Sequence, residues 1–455
     1  MNILFVAPYV PSRIRVRPYN FVKGLAARHN VTLVALVQSD IDRMALPEML
    51  ETCAQVKTVN TSVYESLLRA GKGLLTRMPM QAAYTNVPSL THTVESELDL
   101  KTYDVLHVEH VRAAHYAAHV DSLPKVYDSV DCITLLLRQV LDSKRNPFAW
   151  LLTLEEWAKM RVYEGVIAQQ FSKVVTTSET DKDALEELIW ARINGRLRGL
   201  EEGLVKRRSD HENVDDWRVT RWLIETAQDQ RLNSLMSGGS QVSVVPNGVD
   251  FGYFHPLDQS PEPDTIVFTG KMSYYANAVA VKHFYDKVFP IIKARRPGAK
   301  LRVVGYKPPS SIRKLATDPD VTVTGYVDDI RPHVAAAAVS VCPISVGVGI
   351  QNKILEAMAM GKPVVCSSIA RRAIKAVNGK DLMCADSPED FAESVVQILE
   401  RPELQQSLGE NALSFVRENH SWEHMTSKLE DVYAQAGEVF RREQRRAAKG
   451  LAAAG

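Results

Sequence analysis

The sequence predicts an α/β protein made of two doubly wound parallel-sheet units in tandem. Three observations predict it. Short apolar runs of strand length alternate with longer amphipathic stretches. The runs are continuously apolar, as strands covered on both faces require. The pattern also restarts after about residue 240, and 455 residues suit two or three domains better than one core.

The elements follow in order. Residues 3–7 are expected as a first strand, 19–28 as a helix with Phe21, Val22 and Leu25 on one face, and 31–37 as a second strand. Further strands are expected at 56–59, 105–108, 125–127 and 174–177. In the second half they fall at 242–245, 266–269, 301–304, 321–324, 339–343, 363–366 and near Leu382, with helices over 278–295 and 350–360. The alternating charge of 190–240 reads as a charged helical insertion or linker. Trp422, Met425, Leu429 and Val432 fall at the spacing of one helix face near the end of the chain, before a basic, Ala-rich tail. The expected domains are therefore 1–189, 190–240, 241–420 and 421–455, the last free to pack back on the first. A ligand then belongs at the carboxyl ends of the strands, in the cleft between the units.

Composition excludes some classes. A formal net charge of +1 gives no global electrostatic reason to bind nucleic acid. Five scattered cysteines without a CxxC pair argue against a disulfide framework or zinc site and for a reducing compartment. The N-terminal apolar run lacks a preceding basic segment and is stopped by Pro8 and Pro11, so it reads as a strand rather than a signal peptide. No stretch approaches the roughly 20 apolar residues that span a bilayer. A cytoplasmic protein, at most peripheral on a membrane, is expected.

The segment 341–368 is the most informative. It reads strand, Gly-containing loop, helix, strand. Gly347 and Gly349 permit tight backbone geometry, and a helix starting near Ile350 presents free N–H groups and a positive dipole end, both suited to a diphosphate. Lys353 adds a charge in the first turn. Glu356 can accept hydrogen bonds from vicinal sugar hydroxyls, Gly361 suits a helix C-cap, and Pro363 opens the next strand.

The longer context is specific. LEAMAMGKPVV at 355–365, VVPNGVD at 244–250, FTGKMSYYANAVAVKHF at 268–284 and VTVTGYVDDIRPHVAAAAVSVCP at 321–343 resemble segments of retaining glycosyltransferases of family 4 (glycosyl transferases group 1). The pattern Asn-Lys-x-Leu-Glu-Ala-Met at 352–358 is similar to the bacterial exopolysaccharide-associated subgroup. The resemblance implies a GT-B fold, two Rossmann-like domains facing across a cleft. It further implies transfer of a hexose from a nucleotide-diphosphate sugar to a sugar or lipid-linked glycan acceptor, with no metal or other cofactor required. On the donor side it implies Asn247, Gly270, Asn277, Gly325, Tyr326, Gly347, Gly349, Ile350, Gln351 and Asn352, with Lys271, Lys353 and Glu356 acting in catalysis. On the acceptor side it implies Glu109 and His110, favoured over His107, together with Asp128 and Asp131.

The chain departs from the family pattern in places. The first of the usual glutamate pair falls on Val348, and Lys271 replaces an arginine, keeping the charge but losing the planar fork. The first loop lacks a Gly pair; instead Arg13, Arg15 and Arg17 alternate, placed to meet phosphates or an anionic acceptor. Ser178 and Glu179 are expected to line the cleft or cap a helix. The basic amphipathic stretch 66–77 suits the inner face of the plasma membrane. Two alternatives stay open: a nucleotide-sugar 2-epimerase of the same build, and a nucleotide-sugar binding protein weakened in catalysis.

Overall fold

The computed structural model describes residues 1–143, 146–193, 240–345, 347 and 349–454. Most of the expected insertion, and Val348, lie outside these residues. The chain divides into two compact units, Met1–Val245 with Thr426–Gly455, and Pro246–Met425.

The first unit holds a seven-stranded sheet of order β3-β2-β1-β4-β5-β6-β7. Its strands are β1 (Asn2–Ala7), β2 (Asn30–Val37), β3 (Gln55–Asn60), β4 (Val105–Glu109), β5 (Lys125–Val130), β6 (Lys173–Thr176) and β7 (Val242–Val244). Every pairing is parallel; Ile3, for instance, lies opposite both Val31 and Val105. Ile3 to Ala7 are all fully buried, which is why β1 reads as an unbroken apolar run.

The second unit holds six parallel strands in the order β10-β9-β8-β11-β12-β13. These are β8 (Thr265–Thr269), β9 (Lys300–Val304), β10 (Val321–Gly325), β11 (Val339–Cys342), β12 (Val364–Cys366) and β13 (Met383–Cys384). In both sheets the strand order reverses beside the first strand of the unit, between β1 and β4 and between β8 and β11. Those reversals are where open α/β sheets leave a crevice for ligands.

Three details differ from the sequence expectation. The strand at 242–245 does not open the second sheet. It closes the first, with Val174 opposite Val242. An apolar run carries no mark of the sheet it joins, and an edge position takes a strand of this shortness. The helix expected over 278–295 runs without a gap over 275–295, but its middle turn, Phe284–Val288, is wider than an α-helical turn. Pro290 has no N–H and its ring would clash with the carbonyl of residue 286. The last helix, Trp422–Ala454, changes unit along its length. Trp422 packs on Gly248, where an added Cβ would come within 2.8 Å of it. Further along, the Tyr433 hydroxyl meets His107 Nδ1 at 2.9 Å and Glu430 meets His29 Nε2 at 2.7 Å.

Candidate functional site

The reversal in the second sheet gathers several of the residues expected on a donor side. Gly270 follows β8 directly, and its φ of 149° lies outside the range favoured by other residues. A Cβ there would come within 2.9 Å of Asn277 Nδ2 and 3.3 Å of Lys353 Cε. Gly305, after β9, approaches more closely still: a Cβ would lie 1.8 Å from the Gly270 carbonyl oxygen. The backbones at these two strand ends thus meet with no side chain between them.

Asn277 is buried and organises the turn. Its Nδ2 donates to the Lys271 carbonyl at 3.0 Å, and its Oδ1 accepts from Lys353 Nζ at 2.5 Å. The Lys353 amine also sits 4.8 Å from the centre of the Phe268 ring. Burial lowers the pKa of this amine. Lys353 belongs to the first turn of the helix Asn352–Ala359, and the N-cap residue, Gln351, makes no side-chain cap. The N–H groups at this helix start are not covered by a capping side chain, as an anion site requires. Asn247 Nδ2 donates to Asn352 Oδ1 at 2.9 Å, tying the preceding loop to the same helix. Gly349 has a φ of 66°, and Ile350 is buried beside it.

Other donor-side residues are placed differently. The Lys271 side chain is exposed. Gly325 ends β10 with a φ of 71°, and Tyr326 is exposed, forming an edge-on pair with Tyr306 at 6.1 Å. Tyr306 escaped the sequence reading. The signal for it is the repeated Gly-Tyr after consecutive strands, 305–306 and 325–326. An Asp-x-Asp pattern at 318–320 also went unread. It serves the fold: Asp318 accepts from the Tyr285 hydroxyl at 3.1 Å and Asp320 pairs with Lys293 at 2.5 Å.

Glu356 sits on the same helix, and burial, opposed by Lys353, raises its carboxyl to about 7. A carboxyl raised on folding favours the folded state while the unfolded chain is the better acid. Its contribution is full below about pH 4.5 and disappears as pH climbs through about 7. Wild-type stability should therefore fall relative to Glu356→Gln across that window. Urea unfolding at stepped pH measures it, and parallel curves would refute the assignment.

The reversal in the first sheet gathers the acceptor-side candidates, most of them buried. Arg17 Nε donates to Asp128 Oδ2 at 2.8 Å, and its Nη1 to the Val245 carbonyl at 2.9 Å. Arg15 pairs with Asp42 and stacks on Tyr9 at 4.2 Å, while Arg13 is exposed and 4.0 Å from Glu48. All three alternating arginines thus meet a carboxylate of their own unit, Arg13 at the surface and Arg17 in the interior.

His107 and Glu109 both belong to β4, two residues apart and so on one face of the sheet. His107 Nε2 is 3.8 Å from Glu109 Oε2, and among the described residues neither that nitrogen nor either Glu109 oxygen has a hydrogen-bond partner. Burial, then the Asp128 charge, pushes Glu109 well above the usual carboxylate range. Burial drops His107 and His110 to about 3. Asp131 rises to about 7 through burial and the nearby Asp181, and accepts from the Thr177 hydroxyl at 3.2 Å.

The backbone is strained here. His110 has a φ of 70° and Val130 of 65°, the latter at a bulge in the β5–β6 register. Such outliers cluster at functional sites. Ser178 caps the next helix, its hydroxyl accepting from Asp181 N at 3.1 Å.

Among the described residues, His107, Glu109 and Asp128 form the group able to hold a metal, their ligand atoms within 4.8 Å of one another. The Arg17 guanidinium already on Asp128 opposes a further cation there.

Comparison with known proteins places these sites in context. Residues 263–401 match the family model described as glycosyl transferases group 1. A D-inositol 3-phosphate glycosyltransferase of Actinosynnema mirum is 25% identical over 324 residues, 64% of this chain and 70% of that protein. Sucrose-phosphate synthase of Thermosynechococcus elongatus has a TM-score of 0.63 at 14% identity, over 96% of this chain and 98% of its own. Anabaena HepE in complex with UDP has a TM-score of 0.61 at 13% identity, over 95% of this chain and 100% of its own. By domain and fold the chain is a glycosyltransferase of the GT-B type.

Proposed function

We propose that the protein moves a hexose from a nucleotide-diphosphate sugar to an acceptor hydroxyl with retention of configuration, in the synthesis of exopolysaccharide or another cell-surface glycan. The observation that carries this reading is the Lys353 amine, held by Asn277 at a helix start without a side-chain cap. As the bond to the diphosphate breaks, negative charge grows on the leaving oxygen. A fixed amine and aligned N–H dipoles stabilise that charge more than the ground state, which lowers the barrier. Exposed Lys271 is free to swing toward the same phosphates. Glu356 accepts from sugar hydroxyls on this reading, and the base lies along Tyr306 and Tyr326. On the other sheet, Glu109, His110, Asp128 and Asp131 shape the acceptor side. The UDP-glucose complex of HepE supports a uridine sugar as the first donor to try.

The test is turnover by purified protein over a panel of UDP- and GDP-sugars, with sugar and lipid-linked acceptors. The true donor raises the melting temperature, by linkage worth about 2.7 kcal/mol at 100 Kd. Transfer requires the acceptor. Isomerised donor without acceptor, or binding without turnover, overturns the reading.

A peripheral membrane contact is part of the proposal, with the enzyme at the inner face of the plasma membrane. The helix Val63–Gly73 and the turn after it expose Val63, Tyr64, Leu67, Leu68, Leu74 and Leu75, with Lys72 among them. No helix among the described residues is long and apolar enough to cross a membrane. Sedimentation with anionic vesicles should drop when Leu68 and Leu75 are both changed to Ser; equal binding by that variant rejects the contact.

A further inference from the structure

The parallel register brings together cysteines far apart in sequence. Cys342 lies opposite Cys366 on the neighbouring strand, and Cys366 lies opposite Cys384 on the next. Paired residues on adjacent parallel strands project to the same face, about 4.8 Å apart. That separation falls inside the range a disulfide spans, about 4.4–6.8 Å between Cα atoms.

We infer that Cys366 and Cys384 are a modification site, a dithiol that a peroxide-class oxidant closes to a disulfide across β12 and β13. The two thiols differ in the way such a pair requires. Cys384 is partly exposed and Cys366 is fully buried, so an oxidant reaches the first and the second is held in reserve. Contact with Cys366, then the Arg371 guanidinium, lowers the Cys384 thiol to about 6, while the same contact and burial push Cys366 up. Burial, and more weakly Asp386, oppose the shift at Cys384.

Arg371 belongs to the short helix Ser368–Arg372, which starts directly after Cys366. Its Nη1 donates to the Ala376 carbonyl at 3.2 Å, while its Nε is buried without a hydrogen-bond partner among the described residues. A thiolate at Cys384 puts negative charge beside this half-buried guanidinium. The Cys342 thiol is raised by burial, so it is a poor nucleophile by comparison.

The chemistry balances. The Cys384 thiolate attacks hydrogen peroxide, breaking the O–O bond, and after protonation of hydroxide gives the sulfenic acid and water. The Cys366 sulfur then attacks the sulfenic sulfur, forming S–S and releasing a second water. Two thiols lose two electrons and two protons; peroxide takes them. The residue following Cys366 links this chemistry to the donor loop, since Ser367 Oγ donates to the Ile344 carbonyl at 2.5 Å. The disulfide itself does not depend on which ligand the loop receives.

The experiment treats the reduced full-length protein with limiting hydrogen peroxide, alkylates the remaining thiols, and maps peptides by mass spectrometry. The expected product is a cross-linked peptide joining Cys366 to Cys384, reversed by dithiothreitol. It should appear at least about tenfold faster than any change at buried Cys53 or Cys132. In Cys366→Ala, Cys384 should stop at a sulfenic acid that dimedone traps. Sulfinic acid on wild-type Cys384 without the cross-link overturns the proposal, as does equal reactivity of all five cysteines. The wild-type map decides the matter even where the variant folds poorly.

Discussion

Replacing Lys353 with methionine is expected to lower kcat/KM for sugar transfer by about 10²–10³-fold, which is the loss found on deleting one preorganised charge-stabilising group. Methionine keeps an unbranched stem over the Phe268 ring, so packing survives while the charge goes. The loss should follow phosphate: UDP binding falls, uridine binding does not. A second variant, Asn277→Ala, leaves the amine in place but removes the oxygen that aims it. It should lower kcat more than it raises KM, because it disturbs position in the transition state more than ground-state contact. If the Lys353→Ala, Glu356→Ala double variant still transfers sugar at the wild-type rate, the donor site lies elsewhere.

The strand, loop and helix start proposed as the donor side were legible because their parts are close in sequence or marked by residue type. A Gly-containing loop, a helix start and a lysine in the first turn sit within 347–353, and the strand before them is apolar. The fold was legible for a related reason: strands buried on both faces carry an unmistakable composition. What stayed hidden depends on register and on distant chain. Nothing local says that Cys366 faces Cys384, or that Tyr433 reaches back to His107. The strained backbone at Val130 was invisible because a β-branched residue disfavours a positive φ. The alternating arginines misled in a different way. Loop arginines read as ligand-facing charges, yet Arg17 is only 4% exposed, and its partner lies 111 residues away on β5.

That burial sets the largest stability effect expected in the molecule. Arg17→Met removes the cation in contact with Asp128 and leaves a buried carboxylate unpaired, at a cost of about 3–5 kcal/mol in unfolding free energy. The sign with pH follows from the same pair. Burial already raises Asp128, with Arg17 holding it down; without Arg17 its folded-state pKa rises further. A group raised on folding is most favourable when protonated, so the deficit of the variant should shrink as pH falls and be greatest near neutrality. Neutralising the partner as well, in Arg17→Met with Asp128→Asn, should recover most of the loss, because the uncompensated charge rather than the missing contact is the dominant cost. Urea titrations at neutral and acid pH measure all three proteins. A deficit that ignored pH, or a double variant no better than the single, would mean that the arginine acts through its packing on Phe21, 4.7 Å from the ring centre, and its bond to the Val245 carbonyl instead.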